Sequence, residues 1–318
     1  FLNYLTALLL FVVIFIFFCF QFILQTIVVI LTAHQQVSMA SFLAFLGNLL
    51  ALVIIAILTR ITKGSLLNLG VAYSAAPLVV FLMASIYYFK TSFKEIAPEF
   101  KSIDFKHSRP LMGLGLKFFI IQVAAIILYQ TTNVILVKLY GPTEVSSYNI
   151  VYKYFGILTM GFSIVMTPFW VAFSDAYFKN DVSWIRNTVK KLIRLWLLVL
   201  VAGLVMLLFS RYVINLWVGN AIEYQFSVGV SMFLYFITSA FGSIFVFFIN
   251  GSGKVFLQFL FSIITPVVFI PLAIFLGKGF GVMGVILASI ICNVYGIIIA
   301  PIQYNLIINK RANGIWDR

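Results

Sequence analysis

The sequence predicts an all-α polytopic membrane protein, and three observations carry that prediction. Of its 318 residues 63% are apolar and only 9% are charged, whereas a soluble domain is nearer half apolar and one quarter charged. The apolar residues run in unbroken stretches of about 20, the helical length that crosses a hydrocarbon layer, and not in the alternation of an outer-membrane barrel. A mean hydropathy of +1.13 leaves too little polar surface to cover a water-facing globule. The 8 Pro and 20 Gly are scattered through a Leu/Ile/Phe background, which excludes a disordered chain. Cys19 and Cys292 lie far apart inside apolar runs, so neither a disulfide framework, a zinc site nor another cofactor is expected. In a membrane chain the net charge of +13 reads as orientation and contact with anionic lipid or substrate, not with nucleic acid.

Nine spans follow in order, at about 5–32, 41–59, 67–89, 113–137, 147–172, 192–209, 226–249, 255–276 and 282–308. The first opens on Phe1 without the basic region and small-residue cleavage site of a signal peptide, so the chain is expected to begin within a longer protein. It contributes Gln21 and Gln25 as polar residues. The second and third are joined by Thr62–Gly70, a turn that resembles Leu276–Gly284 between the eighth and ninth. If this is a repeat, spans 1 to 3 end one six-helix half and spans 4 to 9 form a complete second half. The domains would then be 1–110, a partial N-terminal lobe, and 111–318, a complete C-terminal one, with about nine of an expected twelve helices present.

Polar side chains in hydrocarbon need a partner or water, so a polar stripe at helical spacing marks a face that avoids lipid. The fourth span offers Gln122, Tyr129 and Thr132 with Asn133 beside them. The fifth offers Asn149, Lys153, Gly156, Met160, Ser163 and Thr167, at steps of 4, 3, 4, 3 and 4. The seventh has Ser227, Ser231, Tyr235, Thr238 and Gly242, and the ninth Ser289, Asn293, Gly296, Ala300 and Gln303. For Gly, Ala, Ser and Thr close helix packing explains the pattern; Gln122, Asn133, Tyr235 and Asn293 fit either packing or a wet cavity. Lys153 either snorkels outward or faces a cavity as a cation for an anionic substrate. Pro77, Pro168, Pro266, Pro271 and Pro301 are expected to break the helical ladder.

The connections 90–112 and 173–191 are the longest, too short for a soluble catalytic domain. In the second, Asp181 or Ser183 can cap a helix with Trp184, Thr188 and Leu192 on one face and Arg186, Lys190 and Arg194 on another. It reads as a helix lying on the inner leaflet, or as a charged loop feeding the next span. Fifteen Lys and Arg fall in one set of connections and the C-terminal residues, against five in the other set. The positive-inside rule makes the richer side cytoplasmic. All eight carboxylates fall in connections or at helix ends, and His34 and His107 lie in loops. An enzyme using acid and base groups within the membrane is therefore disfavoured.

Gly115–Gln122, Tyr148–Phe155, Thr167–Trp170 running into Asp175–Tyr177, Asp181–Ile185, Asn250–Lys254 and Gly314–Trp316 together resemble the polysaccharide-type flippases of the multidrug/oligosaccharidyl-lipid/polysaccharide exporter superfamily. The resemblance implies a two-lobe exporter fold around a central polar cavity in a bacterial inner membrane, both termini cytoplasmic. It implies movement of undecaprenyl-pyrophosphate-linked oligosaccharide to the outer leaflet for O-antigen or capsule synthesis, alongside other polysaccharide-assembly proteins and membrane lipids. Lys153 would then meet the pyrophosphate, and Asn149, Tyr152, Gln122 and Asn133 the sugar hydroxyls. The resemblance departs at Thr132, where related sequences often carry an acid, so the coupling ion, proton or sodium, stays open. Two alternatives remain: a small-molecule or drug cation antiporter of the same superfamily, which needs intramembrane carboxylates upstream, and a membrane polysaccharide polymerase or glycosyltransferase, which needs a catalytic acid or His.

Overall fold

The computed structural model describes residues 2–61, 66–99, 108–219 and 224–318. Among these the regular structure is helical, without strands: α1 Leu2–Leu24, α2 Thr26–Ala33, α3 Val37–Ile61, α4 Leu66–Lys90, α5 Ser108–Tyr140, α6 Pro142–Phe178, α7 Val182–Val218, α8 Phe226–Ser252, α9 Phe256–Cys292 and α10 Ala300–Ile308. A π-helical turn, Tyr295–Ile299, joins α9 to α10, and short 3₁₀ turns lie at Lys94–Ile96 and Gly314–Asp317. Among the described residues eight helical stretches are long and apolar enough to cross a membrane. The last, Phe256–Ile308, has 53 residues and would be about 80 Å long if straight. It is not straight. Gly281 has φ 67° and ψ −153°, a left-handed conformation that glycine adopts without a Cβ penalty. A Cβ on Gly277 would meet Val285 Cγ2 at 3.1 Å, although eight helical residues span about 12 Å. The chain therefore doubles back, and Phe256 N reaches the carbonyl of Arg318 at 2.9 Å. With this last stretch folded into two arms, the described residues offer nine candidate crossings.

The chain forms two compact units, Phe1–Asp104 and Phe105–Arg318. In the first, α4 packs on α1 and α3, around Ile27, Leu31, Ala40, Leu43 and Phe81. Gly47 lets α3 approach α4, where an added Cβ would stand 3.0 Å from Pro77 Cα. The second unit is built around α8, which packs against α6, α7, α9, the π turn and α10. One cluster joins Leu136, Phe155, Met232, Ile237, Phe269 and Val285; another joins Met166, Phe173, Ile185, Ile244, Phe248 and Ala300. α8 is buried on several sides, while α7 presents Leu198, Val201 and Leu208 outward, as lipid-facing residues do.

Several expectations change. The connection 173–191 is almost wholly helical: α6 runs to Phe178 and α7 starts at Val182. Asp181 does cap, its Oδ1 accepting from Trp184 N at 2.9 Å, and Thr188 and Leu192 are buried while Arg186, Lys190 and Arg194 are exposed. But these residues continue unbroken into the apolar span, so the segment is the projecting start of α7 and not a separate surface helix. Pro77, Pro168, Pro266 and Pro271 lie inside continuous helices. The interruptions fall instead at Gln25, at Gly281 and at the π turn, after which Pro301 occupies the tolerated first turn of α10. Residues 62–65 of the first repeat-like turn lie outside the described residues.

Candidate functional site

Within the second unit α5, α6, α8 and α9 enclose a cavity of about 520 Å³. Its floor and walls follow from helical spacing. α5 presents Ala125, Tyr129 and Thr132, α6 presents Tyr148 and Tyr152, and α8 presents Tyr235, Ser239, Gly242 and Ser243. The two arms of α9 add Gln258, Ser262, Thr265 and Ser289, followed by Asn293, Tyr295 and Gly296. Gly242 and Gly296 permit the closest helix approach at this wall: a Cβ on Gly242 would stand 2.7 Å from Gly296 O.

No Lys, Arg, His, Asp or Glu lines the cavity. Its polarity consists of hydroxyls, two carboxamides and phenol rings. The hydroxyls donate to their own helices, Thr132 to Leu128 O at 2.9 Å, Ser243 to Ala240 O at 2.7 Å, Ser262 to Phe259 O at 2.7 Å and Ser289 to Val285 O at 3.3 Å. Asn293 Nδ2 donates to Ser239 Oγ at 3.3 Å. Gln258 Oε1 is buried with no hydrogen-bond partner. Thr132, Ser243, Ser262 and Ser289 thus have their protons committed and lone pairs left to accept from a ligand N–H or O–H, while the phenols of Tyr148, Tyr152 and Tyr235 can donate or accept. Aromatic faces complete it: Tyr152 lies 5.4 Å from Tyr129, 5.9 Å from Tyr148 and 5.0 Å from Phe236, centroid to centroid. Such rings accept the apolar face of a sugar or an organic cation.

The structure brings together Tyr152, Tyr235 and Asn293 of the residues singled out from sequence. Asn149 and Asn133 stand behind the lining as a bridge between α6 and α5. Asn149 Nδ2 donates to Asn133 Oδ1 at 3.0 Å and to Val145 O at 2.9 Å, Asn133 Nδ2 donates to Tyr129 O at 3.1 Å, and the Tyr129 hydroxyl donates to Asn149 Oδ1 at 3.2 Å. Their polar groups are thereby spoken for inside the protein, and they fix the Tyr129 hydroxyl. Gln122 and Lys153 are exposed and do not line this cavity. Lys153 shares its exposed face of α6 with Met160, Ser163 and Thr167. Thr132, where the sequence resemblance departs, is 5% exposed and does face the cavity.

Tyr148, Gln258 and Ser262 were not singled out from sequence, whereas Ser289 belonged to the stripe of the ninth span. A lone Gln258 inside a Phe- and Leu-rich span was the available signal, since an amide there needs a reason. Gln303, part of the stripe of the ninth span, is a structural residue. Fully buried, its Nε2 donates to Lys254 O at 2.9 Å and Trp316 O at 3.2 Å, and its Oε1 accepts from Tyr295 Oη at 3.3 Å. Among the described residues no three His, Cys, Asp or Glu side chains converge, and no nucleophile and base are paired at the cavity.

No family model matches the sequence, and no curated protein matches it. Solved structures do match. An outward-facing multidrug resistance MATE family transporter of the MOP superfamily aligns with a TM-score of 0.72 at 16% identity, over 89% of this chain and 65% of that one. MATE in its bent conformation aligns with a TM-score of 0.70 at 14% identity, over 87% of this chain and 64% of that one. Its straight conformation gives 0.69 at 14% identity, over 87% and 65%. At these identities the likeness is one of fold. The chain spans just under two thirds of the length of these transporters.

Proposed function

We propose that this chain belongs to a membrane transporter, not an enzyme, that exports small organic solutes by alternating access. The observation that carries this reading is the uncharged cavity of about 520 Å³, ringed by tyrosines and hydroxyl acceptors. Its volume lies within the range of small-molecule sites, about 300–1,000 Å³. The fold shared with multidrug transporters supports the same reading. A donor-rich amine with an apolar or cationic face fits this lining through cation–π contact and hydrogen bonds to Asn293 and the serines. The test is uptake of a fluorescent lipophilic amine into inverted vesicles carrying the full-length protein. Tyr152→Ala and Tyr235→Ala should each reduce uptake at least tenfold at equal protein level. Wild-type rates in both variants would overturn the assignment of this cavity.

A second reading, the carriage of undecaprenyl-pyrophosphate-linked oligosaccharide across a bacterial inner membrane, is favoured by one observation. A cation antiporter needs a carboxylate in its path, and none lines this cavity, whereas sugar hydroxyls need only acceptors and aromatic faces. On that reading Lys153 serves the pyrophosphate from the exposed face of α6 and Gln122 belongs to the sugar path on α5, while Asn149 and Asn133, bonded to each other, act by holding Tyr129. Partner proteins would be those of polysaccharide assembly. The Lys and Arg asymmetry supports a cytoplasmic C-terminal segment in either case. Restoration of surface polysaccharide in a flippase-null strain, without amine export, would select this reading.

A further inference from the structure

α7 is longer than a membrane is thick. Its 37 residues extend about 55 Å, against about 30 Å of hydrocarbon, and its apolar run begins only at Leu195, so its first three turns stand outside. One side of the helix, with Ile185, Val189, Leu192, Leu207 and Ile214, is buried in the second unit. The opposite side carries Arg186, Lys190 and Arg194, all exposed, and then continues as exposed Leu197, Leu198, Val201, Leu204, Val205 and Leu208. At 3.6 residues per turn these nine side chains share an arc of about 120°. A single outward face therefore passes from cationic to apolar at the level where water gives way to hydrocarbon.

Among the described residues the cations of this face have no carboxylate partner. Among the described residues the ion pairs are Lys179 with Asp175 and Lys254 with Asp317, and the Asp181 carboxylate is occupied as the helix cap. Arg186 Nη2 donates to Asn309 Oδ1 at 2.7 Å. That bond pins the guanidinium at the seam between α7 and the end of α10, where Lys310 and Arg311 are also exposed.

We propose that this face of α7 is a binding site for an anionic glycerophospholipid. The phosphate is held by Arg186, Lys190 and Arg194, and the acyl chains lie along Leu197, Val201 and Leu208. Guanidinium and ammonium groups donate to phosphate oxygens in charge-assisted hydrogen bonds, and the apolar continuation of the same face matches the chains of that molecule. A soluble anion matches only the cationic half of the stripe. A zwitterionic lipid brings its own ammonium and gains less from the cluster. The site is independent of which solute the cavity carries.

The experiment is native mass spectrometry of the delipidated full-length protein titrated with phosphatidylglycerol, phosphatidylcholine or glycerol 3-phosphate. Wild type should bind phosphatidylglycerol in preference to both others. Each surface cation near an anionic leaflet contributes roughly fivefold in affinity, so Arg186→Gln with Lys190→Gln and Arg194→Gln should weaken phosphatidylglycerol binding roughly a hundredfold. Lys138→Gln with Arg211→Gln and Lys278→Gln, which removes three exposed cations away from this stripe, should leave it unchanged. If the first triple variant does not purify as a folded protein, Lys190→Gln with Arg194→Gln should show a roughly twenty-fivefold loss. Equal affinity in the α7 variants, equal binding of phosphatidylcholine, or equally tight binding of glycerol 3-phosphate would each overturn the proposal.

Discussion

Gln303→Leu should be the most damaging single polar substitution in the second unit. The side chain is 0% exposed, and its amide ties three separate segments: the α8–α9 turn through Lys254 O, the 3₁₀ turn through Trp316 O, and the π turn through Tyr295 Oη. Leucine fills a similar volume, so the packing term is small. What is lost is pairing. A buried carbonyl left without a donor costs about 1–3 kcal/mol, whereas side-chain hydrogen bonds between membrane helices average about 0.6 kcal/mol when the unfolded reference finds partners. Two orphaned carbonyls and one weakened phenol bond then give a loss of about 2–4 kcal/mol. Tyr295→Phe removes only the 3.3 Å phenol bond and should cost about 0.5 kcal/mol, so the contrast separates the amide from its neighbour. Reversible SDS unfolding in mixed micelles, followed by tryptophan fluorescence, measures both. Trp316 packs against the surrounding cluster, so its emission should shift toward that of exposed indole in Gln303→Leu before global unfolding. A change below about 0.5 kcal/mol in Gln303→Leu, with Trp316 emission unmoved, would refute the reasoning.

Asn149→Ala should cost about 1 kcal/mol of stability by cutting the bridge to Asn133 and Tyr129, and should lower substrate affinity by releasing the Tyr129 hydroxyl; the same unfolding assay and a transport KM check it. Gly242→Ala would place a Cβ 2.7 Å from Gly296 O and should destabilise by about 1–3 kcal/mol, seen as a lower midpoint in thermal aggregation. Cys292 lines the cavity, so in a Cys19→Ser protein a small maleimide should label it and a transported solute should slow that labelling; labelling indifferent to every solute transported would detach the cavity from the transport path. For topology, cysteines at the exposed positions Asn187 and Lys278 should react with an impermeant thiol reagent from opposite sides of the membrane. Thr188 is buried, at 6% exposure, and is a poor probe of sidedness.

Composition alone dictated the solvent of this protein, and from the solvent came helices, their number and their approximate places. With no water in hydrocarbon to satisfy the backbone, an apolar run of sufficient length must be helical. Turn chemistry also read through: Asp181 caps α7, and the glycine-rich stretch around Gly281 reverses the chain. Helix ends did not read through, because polarity at 173–191 marks where a chain leaves the bilayer and says nothing of whether it stops being helical there.

The site was legible only in part. Periodicity assigns a residue to a face of its own helix, and Tyr152, Tyr235 and Asn293 were placed on polar faces by that rule. Which neighbour a face meets depends on helix rotation and crossing, set by side-chain packing across several elements at once. That packing put Asn149 against Asn133, buried Gln303 as a clasp, turned Lys153 outward from the cavity, and brought Gln258 from an otherwise apolar span to its wall. A single helix cannot encode those outcomes in its own spacing, because each depends on the volume and position of residues on other elements.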